Sequence, residues 1–147
     1  MATSRWGRAS AWGVLAAFAL AGQLHAQTAN ATSTLASSVR IPAGVKANGQ
    51  PLPSGAYTVR VSADPVTPVV GQGPEAAKWV EFVQAGQVKG KELASVVAPA
   101  DVKAVAKRTP PTAGSGLVHT LRGSDYVRVW VNHNGSQYLV HLSAAAR

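Results

Sequence analysis

The chain has 147 residues, no cysteine, and 14 Lys and Arg against six Asp and Glu, a formal net charge of +8. Without cysteine it can form no disulfide, thiolate metal site or cysteine nucleophile, so a folded domain must be stabilised by packing. The positive charge favours anionic partners or surfaces and says nothing about the fold.

Residues 1–26 have the pattern of a secretory signal peptide. Arg5 and Arg8 form a positive n-region, Ala11 to Leu24 form an apolar run, and Ala26 supplies the small residue before a cut. The alternative is a transmembrane anchor, but the apolar run is shorter than the roughly 20 residues that span a bilayer. We therefore expect an exported protein, periplasmic or extracellular, with no membrane span after cleavage. The mature chain keeps 12 basic against six acidic residues, a net charge of +6.

The mature sequence predicts a flexible leader at 27–37, a single β domain at 38–143 and a tail at 144–147. Turn residues separate short runs in which apolar and polar residues alternate, and Ala56 to Ala63 is the clearest of these. A first short strand is expected within 38–46. Six to seven such strands predict an all-β fold, either a small antiparallel sandwich or a barrel.

The string LPSGAYTVRV contains Pro53, Gly55, Tyr57 and Val59 at alternating positions. It resembles the Pro-x-Gly-x-Tyr-x-Val start of a strand in small secreted β-sandwich modules, such as carboxypeptidase-regulatory-like domains. The resemblance covers about ten residues. It implies a sandwich with Tyr57 in its core, and it carries no catalytic residue to this sequence.

The stretch DYVRVWVNHNGSQYLVHL predicts the central hairpin of the domain. Asn134-Gly135 suits a type I′ turn, and counting outward pairs Val129 with Val140 and Arg128 with His141. One face of this hairpin is then apolar and needs a second layer to cover it. Its members are Val127, Val129, Val131, Tyr138, Val140 and Leu142.

The stretch KWVEFVQAGQVKGKEL predicts a second hairpin around Gly86. A tight two-residue loop would place Phe82 opposite Lys89, whereas a three-residue loop with Gly86 as a bulge would place Phe82 opposite Val88. The bulged register separates apolar from charged residues, so we predict it, with Glu81 opposite Lys89. Further on, 101–107 has helical spacing and is expected to form a short turn of helix or an irregular crossover.

No catalytic residue, cofactor or metal site is predicted. The mature histidines are His119, His133 and His141, and the hairpin geometry places the last two on opposite faces, where they cannot share an ion. His119 is expected to be an exposed strand residue. We find no nucleophile elbow and no evident pair of catalytic acids. The alternative is an envelope enzyme with an unrecognised site, which a pocket with two or more converging titratable groups would favour.

The mixed face of the central hairpin is the candidate ligand or partner surface. Tyr126, Arg128, Trp130 and His141 would form an aromatic and basic strip, a composition enriched at recognition hot spots. This hypothesis requires an exposed Trp130; the alternative is that another strand or the 101–107 segment covers it together with Leu139.

The composition suggests an envelope protein or an anionic glycan as partner. Nucleic acid is not expected, because the protein is predicted to be exported and its lysines are scattered. The sequence therefore predicts a non-enzymatic binding or structural module of the cell envelope.

Overall fold

The computed structural model describes residues 32–67 and 69–145, so the predicted signal peptide at 1–26 lies outside the described residues. Among the described residues, no helix has the length and apolarity needed to cross a membrane. They form nine strands and one short helix: β1 (Thr34–Ile41), β2 (Val45–Ala47), β3 (Gln50–Leu52), β4 (Gly55–Val61), β5 (Ala77–Gln84), β6 (Gln87–Val97), α1 (Val102–Val105), β7 (Gly116–Thr120), β8 (Tyr126–His133) and β9 (Ser136–Ala144).

Seven strands form one antiparallel sheet in the order β1-β4-β5-β6-β9-β8-β7. The first and last strands approach each other, so the sheet is nearly closed and barrel-like. A Cβ built on Gly116 of β7 would lie 2.9 Å from Val39 Cγ2 of β1, so a residue without a side chain permits this approach. The all-β prediction is confirmed, and the structure corresponds to the barrel alternative.

The short hairpin of β2 and β3 extends the sheet beside the end of β9. Val45 pairs with Ala144, so the first residue of the predicted tail belongs to β9. At the other end, β1 begins at Thr34, within the range predicted to be a flexible leader. Val45, Ala47 and Leu52 are buried in the core of the barrel, and this apolar burial stabilises the two short strands against the sheet.

The central hairpin of β8 and β9 has the predicted register at every pair, from Val127 opposite Leu142 to His133 opposite Ser136. Asn134 has φ 51° and Gly135 has φ 85°, so both loop residues have the positive φ that a type I′ turn requires. The predicted apolar face lies in the core, with Tyr138 partly buried at its edge.

The register predicted for the hairpin of β5 and β6 is wrong. Ala85 (φ 49°) and Gly86 (φ 76°) form a tight two-residue loop, and Val83 faces Val88. One residue later the register shifts, and Phe82 faces Gly90, not Val88. The apolar and charged residues are therefore sorted by a bulge inside the strand instead of at the turn.

The bulge also changes the predicted ion pair. Glu81 faces Lys91 across the strands instead of Lys89. Its carboxylate accepts a hydrogen bond of 2.7 Å from Arg60 Nε on β4. Charge is therefore neutralised between β4 and β5, along the outer side of the barrel.

Tyr57 is a core residue, with 1% of its surface exposed. Its hydroxyl donates a 2.6 Å hydrogen bond to the Pro53 carbonyl, which fixes the chain just before β4. Its ring meets the Phe82 ring edge to face, with centroids 6.1 Å apart. Burial raises the pKa of Tyr57, because the charged phenolate would be poorly solvated.

Candidate functional site

The outer face of β7, β8 and β9 is organised in rows of facing residues, because directly paired residues share one face of a sheet. One row is apolar and runs across the three strands: Leu117, Trp130 and Leu139. The next row is basic and runs parallel to it: His119, Arg128 and His141. The two rows lie two residues apart along each strand, which is about 7 Å.

Trp130 of the apolar row is buried, with 5% of its surface exposed. Its indole Nε1 donates a 2.7 Å hydrogen bond to Gln137 Oε1, and Gln137 is itself buried. The Gln137 amide in turn donates to the Gly135 carbonyl at 3.0 Å. The polar edge of the indole is therefore satisfied, and the ring is held in one position against the sheet.

The crossover between β6 and β7, residues 98–115, is fastened to the end of β8. The Pro111 carbonyl accepts a 2.8 Å hydrogen bond from Asn132 Nδ2, and Gly114 N donates to the Asn132 carbonyl at 2.7 Å. α1 forms a single turn within this crossover, in agreement with the helical alternative predicted for 101–107. These bonds fix one end of the crossover beside the apolar row.

A pocket of about 540 Å³ lies between the crossover and the outer face of β7 to β9. We call it the basic pocket, because its polar lining is dominated by Lys107, Arg108, His119, Arg122 and Arg128. Its apolar lining comes from both sides: Val97, Val102, Val105, Ala106, Leu121, Trp130 and Leu139. The volume falls in the range of small-molecule sites, which is roughly 300–1,000 Å³.

The lining of the basic pocket, as the described residues define it, includes no Asp or Glu. The ion pairs of the described chain are Arg60 with Glu81, Lys78 with Glu75, and Lys91 with Asp64. None of these pairs involves a cation of the basic pocket. Four cations without an ion pair in the described chain therefore line the basic pocket: Lys107, Arg108, Arg122 and Arg128.

Within the described part of the chain, two buried side-chain nitrogens have no hydrogen-bond partner: His119 Nδ1 and Arg128 Nε. Both belong to the basic row, and both residues line the basic pocket. Buried polar atoms without partners are uncommon in folded proteins and call for a physical explanation. Beside them, burial and the Arg128 guanidinium lower the pKa of His141.

The structure divides the predicted aromatic and basic strip. Arg128 and Trp130 line the basic pocket, whereas Tyr126 is 50% exposed and lines a separate hollow with Asp125 at the end of the barrel. His141 is exposed beside Arg128, outside the pocket lining. The condition that Trp130 be exposed is not met, and the strip does not form one open surface.

Three of the pocket's four Lys and Arg residues were not among the predicted site residues: Lys107, Arg108 and Arg122. The first two lie on the crossover, and the third follows β7. Sequence periodicity cannot place such segments against a strand face, because they have no regular pattern. Their one signal was the basic pair Lys107-Arg108 directly after a run of helical spacing.

The pocket contains the titratable groups that were expected to favour an enzyme, since His119 and Lys107 both line it. A general base, however, is normally oriented by a hydrogen-bonded partner, and His119 Nδ1 has none in the described structure. Nor do the described residues contain a group of three or more His, Asp or Glu side chains that could hold a metal ion. The arrangement is suited to attracting and binding negative charge.

Comparison with known proteins identifies no similar protein. The chain matches no family model, no curated protein and no solved structure.

Proposed function

We propose that the chain is an exported, non-enzymatic binding module of the cell envelope, and that its ligand occupies the basic pocket. One observation carries this proposal: two residues of the apolar row, Trp130 and Leu139, and two of the basic row, His119 and Arg128, line the same pocket of about 540 Å³. Concave sites of this size, with an apolar lining and a few converging polar groups, are typical of small-molecule binding.

Binding is favoured over catalysis by the composition of the pocket. Its charged groups are all cationic, and arginine does not exchange protons near neutral pH. No hydrogen bond in the described structure joins His119 to a carboxylate or to a hydroxyl group. The pocket therefore supplies attraction and apolar contact, and it lacks a paired nucleophile and base.

Export is supported by the signal-peptide pattern of residues 1–26. The full-length chain can be produced in a Gram-negative host, and its N-terminus determined in the periplasmic fraction. We expect a mature chain that begins at Gln27. Full-length protein retained in the cytoplasm would contradict this part of the proposal.

Binding can be tested by NMR on the exported, ¹⁵N-labelled protein with a small-molecule fragment library containing anionic, cationic and neutral compounds. The mature chain has two tryptophans, Trp79 and Trp130, and the basic pocket is lined by Trp130 but not by Trp79. We expect some fragments to shift the indole resonance of Trp130 and leave that of Trp79 unchanged. If no fragment shifts Trp130 or the amides of the pocket, the proposed function is wrong.

The same samples test the enzyme alternative. Each fragment that shifts Trp130 is incubated with the protein, and its own resonances are followed over several days. We expect every bound fragment to be recovered unchanged. Conversion that is lost in the His119→Gln variant would show that the pocket belongs to an enzyme.

A further inference from the structure

We infer that the ligand of the basic pocket is an amphipathic oxyanion, that is, a carboxylate or phosphate monoester carried on a small apolar body. Its oxyanion would lie at His119 and Arg128, and its apolar body on Trp130 and Leu139. This inference rests on the proposed function and specifies the chemistry of the ligand at that site.

The placement of the two rows sets the shape of the ligand. The register of β7 to β9 fixes the rows about 7 Å apart on one face of the sheet. On the opposite side, Val102 and Val105 of the crossover line the apolar part of the pocket. A ligand lying across both rows therefore has a charged end and an apolar end only a few bonds away.

The charge of the pocket sets the sign of the ligand. Lys107, Arg108 and Arg122 join Arg128 in the lining, and none of them forms an ion pair within the described chain. The low-dielectric wall formed by the apolar row strengthens the field of these cations inside the pocket. A cationic ligand would be repelled, and a neutral ligand would leave the four cations uncompensated.

The donors of the basic row indicate which atoms the ligand provides. Every guanidinium nitrogen of Arg128 is a donor, and the His119 ring carries at least one N–H in either tautomer. Two neighbouring donors on facing strands suit an acceptor with more than one oxygen. Carboxylates and phosphates supply such oxygens in the geometry that an arginine fork recognises.

The crossover limits the ligand to a small molecule. Its hydrogen bonds to Asn132 hold residues 111–114 against the end of β8. The pocket volume of about 540 Å³ matches a small molecule, whereas a polymer requires a long open groove along the surface. The apolar row would also be of little use to a strongly hydrated polyanion.

The inference is tested with the exported protein carrying Trp79→Phe, in which Trp130 is the remaining tryptophan of the mature chain. Five probes are titrated while Trp130 emission is recorded, and calorimetry repeats each titration: octanoate, octyl phosphate, 1-octanol, acetate and inorganic phosphate. We expect octanoate or octyl phosphate to bind about tenfold or more tightly than octanol and than acetate or inorganic phosphate, because only these two probes meet both rows. Comparison of the two octyl anions identifies the preferred oxyanion.

Matched variants locate the charged end. Lys107→Gln removes a cation from the pocket, and Lys103→Gln removes one from the same crossover at a residue that does not line it. We expect the first to weaken binding of the octyl anion several-fold and the second to leave it unchanged. Arg128→Gln should weaken it by about tenfold or more, because it removes a charged hydrogen-bond donor. Circular dichroism and thermal melting confirm that each variant is folded.

A second matched pair locates the apolar end. Leu139→Ala shortens a pocket residue, whereas Leu117→Ala shortens a residue of the same row that is 41% exposed and does not line the pocket. We expect only the first to weaken binding of octanoate or octyl phosphate, whichever binds more tightly.

Two outcomes would overturn the inference and separate it from the proposed function. If octanol binds as tightly as the octyl anions and Lys107→Gln has no effect, the pocket binds neutral apolar ligands, and only the oxyanion is wrong. If none of the five probes binds, the inference is wrong, and the fragment screen decides independently whether the pocket binds small molecules.

Discussion

The two long hairpins of the barrel, β5–β6 and β8–β9, differ in whether acidic residues lie beside their cations. On the outer side of β4, β5 and β6, each described ion pair brings an acid to a lysine or arginine, as for Arg60 with Glu81. On the outer side of β8, Arg128 lies between His119 and His141 without an acid. Acids on or beside the first surface pair with three of its cations, whereas no acid lines the basic pocket on the second.

The same hairpins differ in how their register is set. In β8 and β9 the turn fixes every pair, because Asn134 and Gly135 both suit a positive φ. In β5 and β6 a bulge at Lys89 resets the pairing inside the strand. The register of β5 and β6 cannot be deduced from its turn, so variants in this hairpin test the observed strand pairing more stringently than variants in β8 and β9.

The largest expected effect comes from the bulged register itself. Phe82 is fully buried, while Val88, its predicted partner, is 47% exposed. Phe82→Ala should lower the free energy of unfolding by about 3–5 kcal/mol, because it leaves a cavity in the core. Val88→Ala should change it by less than about 0.5 kcal/mol. Urea denaturation of both variants measures this contrast, and equal losses would argue for the register in which the two side chains meet.

The glycine that faces Phe82 gives the next largest effect. A Cβ on Gly90 would lie 2.8 Å from Leu52 Cδ1 and 3.1 Å from Ala47 Cβ, so the short hairpin of β2 and β3 leaves no room for it. Gly90→Ala should therefore destabilise the protein by about 1–3 kcal/mol through overpacking. Lys89→Ala, at the neighbouring exposed residue of the bulge, is the control and should be nearly neutral. A neutral Gly90→Ala would mean that β3 does not pack on β6.

The fold could be predicted where the turn residues and the alternation of apolar residues favoured the same strand register. Alternation in Val127 to Val131 and the Asn134-Gly135 turn defined the central hairpin without knowledge of its neighbours. The bulge at Lys89 could not be predicted, because its advantage comes from Leu52 and Ala47, which contact β6 from a distant part of the sequence. The residues next to the turn carry no sign of this contact.

The candidate site shows the same division. Arg128 and Trp130 were predicted to share a face, and the register places them there. The cations Lys107 and Arg108 could not be assigned to that face, since an irregular crossover brings them to it. Whether Trp130 is covered was likewise decided by long-range packing and not by the alternation of its own strand.

A smaller, stabilising effect is expected at the tight loop of the second hairpin. Ala85 has φ 49°, a conformation that costs most residues with a Cβ some free energy and that Asn tolerates better. Ala85→Asn should raise the free energy of unfolding by roughly 0.5–1 kcal/mol, and the equivalent Asn134→Ala should lower it by a similar amount. Thermal or urea unfolding of the two variants provides the measurement. A loss of stability in Ala85→Asn, or a gain in Asn134→Ala, would contradict the shared type I′ geometry.

The smallest expected effect is the pH dependence of stability that comes from His141 on β9, which lies beside the unpaired Arg128. Burial and, to a lesser degree, the Arg128 guanidinium lower the pKa of His141. The unfolded chain therefore binds the proton more tightly than the folded protein does. The free energy of unfolding should be independent of this group at neutral pH and should fall as the pH drops below about 6.5. The change will be small, because His141 is only partly buried and solvent screens its charge.

Titration of His141 by NMR measures this shift directly. Arg128→Gln removes the neighbouring charge, so the pKa of His141 should rise part of the way towards its ordinary value, while the contribution of burial remains. Arg122→Gln, which removes a pocket cation outside the basic row, should have a weaker influence. A bound oxyanion at Arg128 should also raise the pKa of His141, because negative charge beside the ring favours its protonated form. A titration that Arg128→Gln leaves unchanged would show that the guanidinium does not face His141, and the basic row would then be no more than a register of backbone positions.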